Sequence, residues 1–150
     1  MDWSGYNKQK KSIKFRNIKT FNWSNCPQDM KEIDLRDNKL TSFSWENSPP
    51  KLEVVLLNGN KIDYFSWKNS PQTLKKVGLS RNRLSSFSWD ACPPKLRVMW
   101  LSYNYLKSFS WENSPRGLKE IDTTFNHIES YSWENFPQTL VEIRMDNKVV

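Results

Sequence analysis

The chain repeats itself at a fixed step of 22 residues. Phe21-Asn22-Trp23, Phe43-Ser44-Trp45, Phe65-Ser66-Trp67, Phe87-Ser88-Trp89, Phe109-Ser110-Trp111 and Tyr131-Ser132-Trp133 fall in strict register. Prolines follow each at 27, 49, 71, 93, 115 and 137. The apolar run Leu52, Val55, Leu57, Asn60, Ile62 then recurs from Leu74, Leu96 and Leu118, and from Met30 with Met in the first place. A period of this length marks a solenoid of identical supersecondary units, each resting only on its neighbours. Such a chain is one domain at 150 residues. It also tolerates a hydrophobic fraction of only 37%, because no central globule has to be filled. The aromatic fraction of 14% with 8 Trp implies that the buried stack is rich in rings.

Within a repeat, Val55 and Leu57 are two residues apart and point the same way, which is strand periodicity. Two core rows follow down the stack: Ile33, Val55, Val77, Met99, Ile121, Ile143, and Leu35, Leu57, Leu79, Leu101, Thr123, Met145. Thr123 breaks its row, and its hydroxyl must find a partner, since an unpaired buried one costs about 1–3 kcal/mol. Asn38, Asn60, Asn82, Asn104 and Asn126 sit where the chain leaves each strand. Stacked amides there can satisfy backbone groups that the turn leaves open, so they are expected to form a structural ladder rather than a binding strip. The segment from Trp45 to Leu52 is too short and too rich in proline for a helix. The Phe and Trp rows are expected to fill the convex half of the core, because exposing six Trp in line would make a very large apolar patch.

The pattern Leu-x-x-Leu-x-Leu-x-x-Asn-x-Leu resembles that of leucine-rich repeat proteins over residues 10–150. It is similar to the short bacterial type of secreted effectors, in which proline stands shortly before the first leucine, as in Pro49-Pro50-Lys51-Leu52, Pro71-Gln72-Thr73-Leu74 and Pro93-Pro94-Lys95-Leu96. The chain departs from that type by its Trp-containing return segment. The fold expected is a β-rich solenoid: a right-handed leucine-rich repeat coil with one short parallel strand per repeat, extended or turn-like convex segments and no regular helices. Residues 1–20 are expected to be a basic arm and capping repeat, 21–141 the regular repeats and 142–150 a terminal strand. At the start Ile13 and Phe15 match a strand, but the turn to Ile18 is shortened. At the other end Lys148 replaces the ladder asparagine, and the strand from Glu142 leaves an edge whose alternating charges discourage pairing.

The net charge of +7 is uneven. Residues 1–20 carry six Lys or Arg against Asp2, a net +5, while the remainder carries 17 basic and 15 acidic residues, a net +2. The arm is read as a solvated tail rather than a nucleic-acid arm. No apolar run approaches the length of a membrane span, and the start of the chain lacks a signal-peptide core. Cys26 and Cys92 share one slot three repeats apart, roughly 14 Å at about 4.8 Å per coil, too far for a disulfide. Free thiols fit a reducing, intracellular setting, compatible with delivery into a host cell. Asn22-Trp23-Ser24 is a formal glycosylation sequon, read as accidental in this setting.

The outward strand positions are the ones that vary. One row reads Asp34, Leu56, Gly78, Trp100, Asp122, Arg144, and the row before it Glu32, Val54, Lys76, Val98, Glu120, Glu142. Beyond the strand lie Asp37, Gly59, Arg81, Tyr103, Phe125 and Asn147. The fold does not dictate these residues, and in a curved solenoid they face the concave side. Val54, Leu56, Val98 and Trp100 make an apolar centre extended by Tyr103 and Phe125. Asp34, Glu120 and Asp122 bracket it, and Gly78 is expected to open a dent between Leu56 and Trp100. An aromatic anchor inside a charged rim is the usual organisation of a protein interface. The expected function is therefore a non-enzymatic module that binds a protein or peptide with a basic or apolar segment, as a monomer or weak end-to-end dimer. A nucleic-acid-binding or self-assembling structural repeat is the alternative. Nucleic acid is disfavoured because acid at both ends of the face repels phosphate. No catalytic constellation is visible: His127 is the one histidine, and there is no phosphate loop or metal-spaced cluster. No cofactor is expected.

Overall fold

The computed structural model describes residues 1–146. Asn147 of the outer row, Lys148 at the ladder position and the last two residues of the 142–150 segment lie outside the described residues. Seven three-residue strands, β1 (Ser12–Lys14), β2 (Glu32–Asp34), β3 (Val54–Leu56), β4 (Lys76–Gly78), β5 (Val98–Trp100), β7 (Glu120–Asp122) and β9 (Glu142–Arg144), form one parallel sheet. Its spatial order follows the chain order, and each strand pairs with the one a repeat away. No helix occurs among the described residues, so none is long and apolar enough to cross a membrane.

The return segments run extended along the other side. Two of them are regular enough to pair: β6 (Ser108–Ser110) and β8 (Ser130–Ser132) make a second, two-stranded parallel sheet. The convex side is thus partly β as well as turn-like. Both core rows are buried from Ile33 to Ile121 and from Leu35 to Thr123, with Leu52, Leu74, Leu96 and Leu118 closing them from below.

The aromatic rows are interior. Trp23, Trp45, Trp67, Trp89 and Trp111 are all buried. Each Phe meets its own Trp edge-on, as Phe65 does Trp67 at 4.8 Å and 88°. Several successive rings stack in parallel, Trp45 on Trp67 at 6.4 Å and 11° and Phe87 on Phe109 at 6.3 Å and 5°. Such geometry suits the ring quadrupoles, and a buried indole N–H needs an acceptor. That acceptor is the carbonyl of the serine one repeat on: Trp23 donates to Ser44 at 2.8 Å, Trp45 to Ser66 at 2.8 Å, Trp67 to Ser88 at 3.0 Å and Trp89 to Ser110 at 3.0 Å.

The column breaks at its last member. Trp133 is 51% exposed, against the expectation for its row. The cause is Phe136, which occupies a slot held elsewhere by Cys26, Ser48, Ser70, Cys92 and Ser114. Its ring packs edge-on against Trp111 at 5.2 Å and displaces Trp133. Trp111 Nε1 is left buried without a partner. Ile143, also expected in the core, is exposed on the terminal strand of the sheet.

The asparagine ladder behaves as expected. Asn82 accepts from the Ile62 amide at 3.0 Å and donates to the Leu57 and Leu79 carbonyls, each at 3.0 Å. Asn38, Asn60, Asn104 and Asn126 repeat this bridge between adjacent coils. Residues 1–20 are not a free tail. Trp3 stacks on Trp23 at 6.4 Å and 11° and donates to the Ser24 carbonyl, and Tyr6 donates to Asp29. Trp3 therefore extends the indole column by one place. It stands 20 residues before Trp23 rather than 22, matching the two residues lost between Phe15 and Ile18.

Thr123 finds its partner in another departure from the repeat. Its hydroxyl lies 3.0 Å from that of Tyr131, which replaces Phe in its row. The two exceptions compensate each other. Thr123→Val and Tyr131→Phe are each expected to cost about 1 kcal/mol, since each breaks this bond, whereas the double variant should cost less than the sum. Urea unfolding of the four proteins checks this; strictly additive effects would show that the pair is not coupled.

Candidate functional site

The strands place the varied residues on one surface. Register pairs Asp34 with Leu56, Leu56 with Gly78, Gly78 with Trp100 and Trp100 with Asp122. Val54, Lys76, Val98 and Glu120 run beside them in the same way. Every strand-borne candidate is therefore a neighbour of the next. Tyr103 and Phe125 lie outside the strands at the rim and stack on each other at 4.3 Å and 10°.

Trp100 is held in place by its surroundings. Its indole N–H donates to Glu120 Oε1 at 2.7 Å, and Lys76 Nζ sits 3.9 Å from the ring centroid. These contacts fix the ring in one orientation, so little side-chain freedom remains for it to lose. Glu120 is thus engaged with Trp100 as well as presented to the rim.

The dent expected at Gly78 is not open. A Cβ on Gly78 would come within 2.1 Å of Asn58 Oδ1. The Asn58 side chain fills that space from the neighbouring coil, and its Oδ1 is buried with no hydrogen-bond partner. Glycine is needed at 78 for this close approach. Leu56, expected to wall the dent, is only 7% exposed. A charge introduced at Leu56 would disturb folding, so Trp100 and the rim aromatics are the informative positions.

The acidic bracket is partly neutralised within the chain. Arg36 grips Asp34 with two bonds, Nε to Oδ1 at 3.0 Å and its terminal nitrogen to Oδ2 at 2.9 Å, while Lys14 lies 3.4 Å away. Burial opposes ionisation of Asp34, but the bonds and charge of Arg36, with Lys14, outweigh it and hold the carboxyl below its ordinary value. Asp122 accepts from the Thr124 amide and hydroxyl. Glu142 pairs with Arg144, and Glu53 lies between Lys31 and Lys75.

Tyr105 and His127 join the surface without having been picked out from the sequence, and Arg81 of the outer row gains a contact there. Arg81 lies over Tyr103 at 5.0 Å, and Tyr105 stacks on His127 at 6.0 Å and 3°. The signal was present as 22-residue spacing between Arg81, Tyr103 and Phe125 and between Tyr105 and His127. Cys26 and Cys92 are free, and burial raises both thiols, Cys92 to about 12. Among the described residues no group of three or more His, Cys, Asp or Glu could hold a metal ion.

No protein-family model matches the sequence, and no curated protein matches it either. Solved structures do. YopM from Yersinia enterocolitica WA-314 is 22% identical, with a TM-score of 0.67 over 89% of this chain and 26% of that one. The leucine-rich repeat domain of APL1B is 20% identical, with a TM-score of 0.73 over 92% of this chain and 47% of that one. The chain thus spans well under two thirds of either neighbour. Likeness at this level shows the fold: the chain has the leucine-rich repeat architecture.

Proposed function

We propose that this chain is a non-enzymatic interaction module whose concave face binds a protein or peptide. Trp100 carries the proposal: it is a large ring on a varied position, half-buried, and braced by Lys76 and Glu120. Aromatic anchors of this kind dominate interface energetics. Val54, Val98, Tyr103 and Phe125 supply apolar area around it, Leu56 and Gly78 form its floor, and Asp34, Glu120 and Asp122 its polar margin. The free thiols of Cys26 and Cys92 support a reducing compartment.

A randomised dodecapeptide library panned on the whole chain tests this reading. Selected peptides are expected to lose about tenfold or more in affinity for Trp100→Ala, consistent with loss of a hot-spot residue. Circular dichroism should be unchanged, because Trp100 stands outside the core. Equal affinity for both proteins would reject the concave face as the binding surface.

A further inference from the structure

The rim beside the concave face uses its backbone against the usual preference. Asp37, Gly59, Arg81, Tyr103 and Phe125 occupy one equivalent position, and all have φ between 55° and 75°. Left-handed backbone favours Gly, Asn and Asp and costs other L-residues about 1–2 kcal/mol. The return segments show how the chain meets that demand elsewhere: Asn25, Asn47, Asn69, Asn113 and Asn135 occupy their left-handed position, with Ala91 as the one exception. Arginine and two bulky rings at the rim position are therefore not there for the turn. Strain kept in place by side chains points to a use for them.

Their exposure agrees. Tyr103 is 44%, Tyr105 53% and Phe125 60% exposed. With Arg81 and His127 they line a groove of about 470 Å³. The adjoining row reads Lys39, Lys61, Arg83, Tyr105, His127. Lys39, Lys61, Arg81 and Arg83 are exposed, and none has an ion pair among the described residues. Asp37 is the only acid in the two rows. The cations on this side are unpaired, whereas Asp34, Glu53 and Glu142 on the sheet are already paired.

We propose that the rim groove of Arg81, Tyr103, Tyr105, Phe125 and His127 docks an acidic peptide segment with an apolar or aromatic anchor. This rests on the reading of the chain as a protein- or peptide-binding module, and it assigns the seat and the charge of the partner. The rings receive the anchor, and Arg81, Arg83, Lys61 and Lys39 attract the carboxylates. Single-stranded nucleic acid fits less well. Bases need free ring faces, and Tyr103 already stacks on Phe125 and carries Arg81 over its ring.

The same dodecapeptide selection decides the matter. Enriched sequences should carry Asp or Glu beside Leu, Phe or Trp. Their affinity should fall about tenfold or more in Arg81→Glu and in the double variant Tyr103→Asn/Phe125→Asn. The double variant should melt no lower than wild type, since asparagine suits the left-handed turn, so lost binding cannot be ascribed to lost folding. Lys- or Arg-rich peptides, no enrichment, or full binding by both rim variants would overturn the proposal. So would tighter binding of a dT20 oligonucleotide with the same dependence on Arg81. If Trp100→Ala alone abolishes binding, the rim assignment fails and the concave reading stands. If only the rim variants abolish it, the concave reading fails and the rim assignment stands.

Discussion

Trp67→Ala is expected to cost about 3–5 kcal/mol, the range for deleting a large buried aromatic. Trp67 is almost wholly buried, stacks on Trp45 and donates to the Ser88 carbonyl. Its loss would open a void in the middle of the column and leave that carbonyl without the indole. The loss is a large fraction of the roughly 5–15 kcal/mol that holds an ordinary domain folded. In a solenoid it also severs the interface between neighbouring coils, on which stability depends. Trp133→Ala, on the displaced and half-exposed ring, should change stability by less than about 1 kcal/mol. Urea unfolding measures both. Comparable small effects at the two positions would mean that the indole column does not fill the core.

Asn82→Asp is the second large effect. The substitution preserves shape and keeps an acceptor for the Ile62 amide. It removes both donors, however, and sets a carboxylate against the Leu57 and Leu79 carbonyls. Each carbonyl keeps one ladder donor, Asn60 for Leu57 and Asn104 for Leu79, but a charge is buried against both, for a cost of about 3 kcal/mol or more near neutral pH. Asn82→Ala should be damaging too, but without the charge its stability should not rise as the pH is lowered. That of Asn82→Asp should recover as acid neutralises the new carboxyl. The pH dependence separates loss of a hydrogen-bond ladder from simple loss of volume.

The features that repeat were legible in the sequence. A step of 22 puts Leu56, Gly78 and Trp100 on successive strands whatever their side chains do, and it puts the ladder asparagines over one another. Side-chain adjustments that do not repeat were not legible. Asn58 turns over Gly78 because that one coil lacks a Cβ, so a space inferred from glycine alone was already filled. Arg36 pairs with Asp34 because it stands two residues on, in the turn that follows this one strand. At the ends the step itself changes: Trp3 joins the column at a spacing of 20, and Phe136, in a slot of small residues, expels Trp133. Residues 1–20 look like a charged tail by composition because their few anchors, Trp3, Tyr6, Ile13 and Phe15, are scattered among six cations. The rim groove needed the backbone angles, since nothing in the residue order shows that Tyr103 and Phe125 occupy a left-handed position.

The proposed function puts recognition on the varied side of the solenoid and filling on the invariant side. Amide chemical-shift mapping of the 15N-labelled chain with a selected dodecapeptide tests this division most directly. Shifts should cluster at Val54, Val98, Trp100, Tyr103, Tyr105 and Phe125, and the convex serines and asparagines of the return segments should stay still. Shifts concentrated on Ser44, Ser66, Ser88 and their neighbouring asparagines would contradict it.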